Sequence, residues 1–164
     1  MPGTYEVQNR AAAPAQGGLA LPPPPAAGPI RLHGGAAGLR RRDMQVQAAG
    51  NVATYGYPGV WTTGISDCVV LAAVEWQPGV GWTNFCWEHL GGGEHQTWER
   101  TFRAQIGVPA NCFALIAARY KTGTWYLADE FVKWGISPER ITVYIARADF
   151  SFGLRFAQGN FGEV

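Results

Sequence analysis

The 164-residue chain is predicted to be an α+β domain, in which a mixed or antiparallel sheet with a sandwich-like core carries two helices packed on it. Three observations predict this class. Hydrophobic residues make up 47% and charged residues 15%, enough apolar matter for one core at this length. All seven Trp and all eight Phe follow residue 45, so the core is built downstream of that point. Strand-like runs alternate there with two helical stripes, and a tight turn at Pro78-Gly79 makes the two strands that flank it antiparallel neighbours.

Residues 1–45 are Ala, Gly, Pro and Arg with one aromatic, Tyr5, and four consecutive prolines at Pro22–Pro25. Such a segment has little apolar area to bury, and the expectation is a disordered tail followed by a folded domain over 46–164. Five arginines (Arg10, Arg31, Arg40, Arg41, Arg42) against Glu6 and Asp43 give the tail a net charge of +3. The remainder, with 8 basic and 10 acidic residues, is −2. A mildly acidic domain lacks the electrostatic footprint of a nucleic-acid binder. No run approaches the roughly 20 apolar residues that span a bilayer, and the start lacks the basic-then-apolar order of a Sec signal. Three widely spaced cysteines, Cys68, Cys86 and Cys112, argue against a disulfide framework.

After Pro58–Thr63 and the turn Gly64-Ile65-Ser66-Asp67, Cys68 opens the run Val69–Trp76. β-Branched residues next to turn chemistry predict a strand buried on both faces, although the alanines leave a helix open. From Val80 to Leu90, Trp82, Asn84, Cys86 and Glu88 alternate with Thr83, Phe85, Trp87 and His89, a second strand of the same hairpin. Gly91–Gly93 ends it. Trp98, Phe102 and Ile106 at helical spacing predict a helix over 96–105, stopped by Pro109. A third strand is expected over 111–120, and a second helix over 124–134 with Leu127, Phe131 and Trp134 on one stripe and Gly135 as its stop. Ile141, Val143 and Ile145 alternate in a fourth strand, and Phe150, Phe152, Leu154 and Phe156 in a fifth. There is no internal repeat and no heptad.

Cys68 stands out chemically, because a thiol between a turn and an apolar element sits among unpaired backbone N–H groups that stabilise a thiolate and can receive an oxyanion. The paired strand returns His89 across the hairpin, and Cys with His is the minimum for an activated thiolate. The sequence Thr62-Thr63-Gly64-Ile65-Ser66-Asp67-Cys68, an apolar strand, a turn and a strand ending in His89-Leu90 resembles the chemoreceptor glutamine deamidases of the CheD family. Their signature is a threonine six residues before the cysteine, a glycine four before it, and a histidine on the next strand. The cytotoxic necrotizing factors and the Burkholderia lethal factor share that core. Phe131-Val132-Lys133-Trp134-Gly135-Ile136-Ser137-Pro138-Glu139-Arg140-Ile141 is similar to the helix, glycine turn and strand of the same family, and the likeness spans roughly residues 55–147.

The resemblance implies a protein-glutamine deamidase in which Cys68 attacks the side-chain amide, His89 moves the proton and Thr62 orients His89. Ser66 and Asp67 would frame the oxyanion site, and Trp87, on the face of His89, would line the substrate cleft. No cofactor and no metal is implied. The partner is a protein substrate bearing the target glutamine, with no nucleic acid, no membrane and a monomeric enzyme. Ser66-Asp67 stands where the family has Gly-Ser or Ser-Gly, and the Cys-to-His spacing is longer; both fit a divergent toxin branch, hence an effector secreted without a Sec signal and acting in a host cell. The bacterial cytoplasm is the alternative.

Other readings stay open: a cysteine protease or transglutaminase with the same dyad, or a non-catalytic binding domain presenting an aromatic surface. A metal site from Cys86, His89, His95 and Cys112 has acceptable zinc ligands, but on a strand positions 86 and 89 face opposite ways.

Overall fold

The computed structural model describes residues 5–9, 31–44, 46–91, 98–119, 124–146, 149–156 and 160–164. Among them are ten strands: β1 Tyr5–Asn9, β2 Arg40–Arg41, β3 Ala48–Asn51, β4 Gly59–Ile65, β5 Val69–Gln77, β6 Gly81–Leu90, β7 Cys112–Ala118, β8 Ile141–Ala146, β9 Phe150–Arg155 and β10 Asn160–Glu163. Two α-helices accompany them, α1 Trp98–Gln105 and α2 Thr124–Trp134. The strands form a six-stranded sheet in the order β1-β8-β7-β5-β6-β3 and a four-stranded sheet in the order β10-β9-β4-β2. The six-stranded sheet is mixed, since β7 and β8 are parallel while its other pairs are antiparallel. The class is α+β with helices on a sheet-dominated core.

Side-chain alternation assigns the two faces of the large sheet. Val69, Leu71, Ala73, Cys86 and Leu90 point to the helices and pack with Trp98, Phe102, Leu127 and Phe131. Val70, Ala72, Val74, Phe85 and Trp87 point the other way, into a second core shared with Val60, Ile65, Phe150, Phe152, Leu154 and Phe161 of the small sheet. The result is a three-layer stack, helices on sheet on sheet. It explains why Val69–Val74 and all of β7 are buried whichever way their side chains point, and it settles the Val69–Trp76 run as strand: the alanines fit because both faces are crowded. The hairpin at Pro78-Gly79 forms with a register shift between Val74 and Trp76.

The expected tail boundary at 46 is corrected. β1 pairs antiparallel with β8, Tyr5 opposite Ala146, through a ladder made by backbone groups. Residues 31–44 dock on the small sheet. Leu32 and Leu39 are buried, and Arg155 donates from Nε to the His33 carbonyl at 2.9 Å and from Nη2 to the Gly35 and Ala37 carbonyls at 3.1 and 2.8 Å. Gly153 makes room for this: a Cβ there would lie 2.9 Å from Leu32 Cδ2. Two leucines among glycines and alanines are too sparse a pattern to read as a packed segment. The polyproline stretch at 22–25 lies outside the described residues.

Candidate active site

The local chain geometry around Thr62 comes from a bulge. β4 and β9 pair with Thr62 opposite Phe152 and then Ile65 opposite Phe150, so Thr63 and Gly64 face the single residue Ser151. Gly64 takes φ +69°, a left-handed conformation that glycine adopts without steric cost. The extra residue resets the alternation, so Val60, Thr62 and Ile65 all point inward and all are buried. Ile65 then anchors the turn that delivers Cys68.

Thr62 meets His89 inside the sandwich. Thr62 Oγ1 lies 2.7 Å from His89 Nδ1, and the pair is buried. Thr62 is fully buried and His89 is 2% exposed. With the Nδ1–H tautomer the ring donates to the threonine oxygen, which leaves the Nε2 lone pair for a proton; Nε2 is buried and has no hydrogen-bond partner among the described residues. Position 89 is directly across from Val70 in the β5–β6 ladder. Cys68 is the residue just before β5, two positions ahead of Val70 in the chain. The thiol is free and half-buried, and its Sγ–H donates to the Gly64 carbonyl at 3.7 Å. The thiol and the imidazole are bonded to different partners, the Gly64 carbonyl and Thr62.

Ser66 and Asp67 form the turn before the cysteine. Ser66 Oγ donates to Asp67 Oδ1 at 2.6 Å, and this pair is exposed. No turn or loop backbone bond among the described residues uses the N–H of Asp67 or Cys68. Trp87 is corrected: it shares the face of His89 but is fully buried, paired with Ala48 and Ala72 in the inter-sheet core. A substrate cannot touch it, so it is packing rather than cleft. Cys86 and His89 do face opposite ways, the first among the helix-side residues and the second between the sheets. His95 lies outside the described residues, and among those described no three His, Cys, Asp or Glu side chains gather as metal ligands.

Sequence reasoning missed the chain that closes this side of the sandwich. β2, the edge of the small sheet, runs on through Arg42 and Asp43 and reaches β3, the edge of the large sheet. It lies in the stretch that composition marked as tail, and no sequence signal identifies it.

The charge on His89 has two opposing influences. Burial lowers its pKa from 6.5, and Asp43 works against that. The unfolded chain therefore takes up a proton at this position at a higher pH than the folded one, so the stabilisation is complete above the unfolded value and is lost as pH falls below about 6.5. Glu163, whose pKa is raised by burial against the pull of Tyr144 and Arg31, acts in the opposite sense near its own range. Urea midpoints at about pH 7.5 and 5.5 should show a fall, and His89→Gln should make it smaller. An unchanged fall in the variant would mean other groups carry it.

Burial also ranks the thiols. Cys86 and Cys112 are buried and their pKa values are pushed well up, first by burial and then by the charge of Glu75, so thiolate is scarce at both. Cys68 is expected to react fastest with iodoacetamide at neutral pH. Intact-mass time courses on single Cys→Ala variants check the order.

No known family model matches the chain, and no curated protein matches it significantly.

Proposed function

We propose that the protein is a cysteine-dependent protein-glutamine deamidase, with Cys68 as nucleophile, His89 as proton carrier and Thr62 as the residue that orients His89. The observation carrying this reading is the buried 2.7 Å contact of Thr62 Oγ1 with His89 Nδ1; the half-buried free thiol of Cys68 precedes β5, the strand paired with that of His89. A buried imidazole held at one nitrogen presents the other in a fixed direction. For the pair to work, the thiol turns from the Gly64 carbonyl toward Nε2, a rotamer change within the range by which unliganded sites differ from reacting ones.

His89 takes the thiol proton, and the thiolate attacks the amide carbon of the glutamine side chain. The tetrahedral oxyanion forms against the backbone N–H groups of Asp67 and Cys68. Its collapse breaks the C–N bond while the imidazolium gives its proton to the leaving ammonia. Water, deprotonated by His89, then cleaves the thioester, returning the thiol and leaving a glutamate. The resemblance to the deamidase signature supports glutamine as the substrate side chain.

The near-complete burial of His89 favours one rival, a binding domain that keeps the fold without turnover. Mass spectrometry separates the two. A host-cell lysate incubated with the full chain should gain Gln-to-Glu conversions that a Cys68→Ala control lacks; identical spectra from both would leave the binding reading.

A further inference from the structure

Three consecutive arginines lie at the side of the sandwich that the Thr62–His89 pair occupies, and the register sorts them. β2 runs parallel to β4 with Arg40 beside Val60 and Arg41 beside Trp61. Arg40 points to the core side: its guanidinium is 5.9 Å from the ring of Tyr55, and Tyr55 packs on Phe85 and Phe156. Arg41 points outward, 5.5 Å over the Trp61 ring and bonded to Asp43 at 2.7 Å. The Arg42 N–H donates to the Trp61 carbonyl at 2.8 Å, which carries the ladder one residue further. Arg42 is therefore level with Thr62 and, by alternation, turned to the core side as Thr62 is.

The far end of this crossing is fixed as well. Ala48 pairs with Trp87, and Gln47 Nε2 donates to Glu88 Oε2 at 3.0 Å, so Val46 arrives level with His89. Arg42, level with Thr62, and Val46, level with His89, are four residues apart in the chain. Arg42 is thus the charged residue level with the buried Thr62–His89 pair.

Its Nε is buried and has no acceptor among the described residues. A buried donor on a charged group without an acceptor is costly to keep; Arg42 as a whole is only half-buried, so a ligand that meets its guanidinium and draws Nε to an acceptor removes that cost. A planar guanidinium is matched by a carboxylate, which accepts two of its N–H groups at once. The charges nearby in the chain say where the carboxylate would sit. Arg40 and Arg41 are neighbours on the same strand, and Asp43 is already held by Arg41. Asp67 lies on the turn of Cys68, held by Ser66, and repels an anion at the thiol itself. The carboxylate belongs on the Arg42 side.

We propose that Arg42 is a specificity-determining residue that binds a carboxylate of the substrate, so that the preferred target is a glutamine beside an aspartate or glutamate. This rests on the deamidase reading of Cys68 and His89.

Two alkylating reagents of equal size and different charge test it on the full chain. Iodoacetate and iodoacetamide attack the same thiol, and a nearby guanidinium favours the anion. The iodoacetate-to-iodoacetamide rate ratio at Cys68 should fall about 3-fold or more from wild type to Arg42→Gln at low ionic strength, and this difference should shrink in about 0.5 M salt. Arg42→Lys should keep most of the ratio, whereas Arg41→Gln, the same charge loss on the outer face, should leave it nearly unchanged. With peptides, Arg42→Gln should raise KM for a glutamine next to glutamate and leave KM for a glutamine next to alanine alone. A reactive Cys68 whose ratio Arg42→Gln does not change overturns this proposal and spares the deamidase. A Cys68 inert to both reagents overturns both.

Discussion

Cys68→Ser is expected to abolish deamidation to the limit of detection, while the variant melts like the parent. A serine hydroxyl has a pKa far above a thiol's, and one imidazole in a buried site cannot ionise it for attack on a primary amide. His89→Gln should cost nearly as much, about 10²- to 10⁴-fold in kcat, the usual range for a lost general acid–base. The amide keeps a polar group against Thr62, so loss of activity is not confused with an unsatisfied hydroxyl, which by itself would cost about 1–3 kcal/mol of stability. Thr62 acts through His89 rather than on substrate. Thr62→Val should lower kcat about 10- to 100-fold, a range borrowed from residues that position metal ligands, with KM nearly constant, and Thr62→Ser should restore most of it. The 2.7 Å contact makes this ordering demanding: if Thr62→Val matched the parent, the contact would be packing alone. Retained turnover in Cys68→Ser would remove the nucleophile and the mechanism with it.

Much of the central sheet was legible because its signals are local. The β5–β6 hairpin, α2 with its Gly135 stop, and the strands β7 and β8 follow from periodicity and turn chemistry within windows of about ten residues. The opposite facing of Cys86 and His89 follows from strand alternation alone. The Thr62–His89 bond joins residues 27 apart on different sheets, and it was reached through the resemblance rather than through spacing. Other features depend on long-range pairing that leaves no local trace. β2 is two residues long, and β1 belongs to the sheet through main-chain bonds to a strand more than a hundred residues away. Trp87 was misread because alternation gives the face of a residue but not the depth of what covers it; here the small sheet and Ala48 cover it. The role of the Gly64 bulge was equally hidden, because a glycine before a turn reads as part of the turn.

A chain that begins at residue 46 is expected to be far less stable than the full protein, and a chain that begins at residue 31 much less affected. The difference between them is residues 31–45. That segment buries Leu32 and Leu39, each worth roughly 1.5–3 kcal/mol when fully removed from water. It also supplies the carbonyls that hold Arg155 and the strand that pairs with the edge of β4. Native domains hold only about 5–15 kcal/mol in total, so a loss of several kcal/mol is a large share. At this chain length about 1 kcal/mol moves the melting temperature by roughly 2–4 °C, and a fall of about 10 °C or more is expected. Removing β2 also exposes β4 as a bare edge beside Trp61, which invites strand-to-strand association, so the shorter chain should scatter light on heating. The chain beginning at 31 loses the β1 ladder on β8, a main-chain contact at the far edge of the other sheet, and keeps both leucines. Melting curves of the three chains decide it. A chain from residue 46 that melted within about 2 °C of the full protein would mean that the docked segment adds no stability, and that the fold begins at the boundary composition suggests.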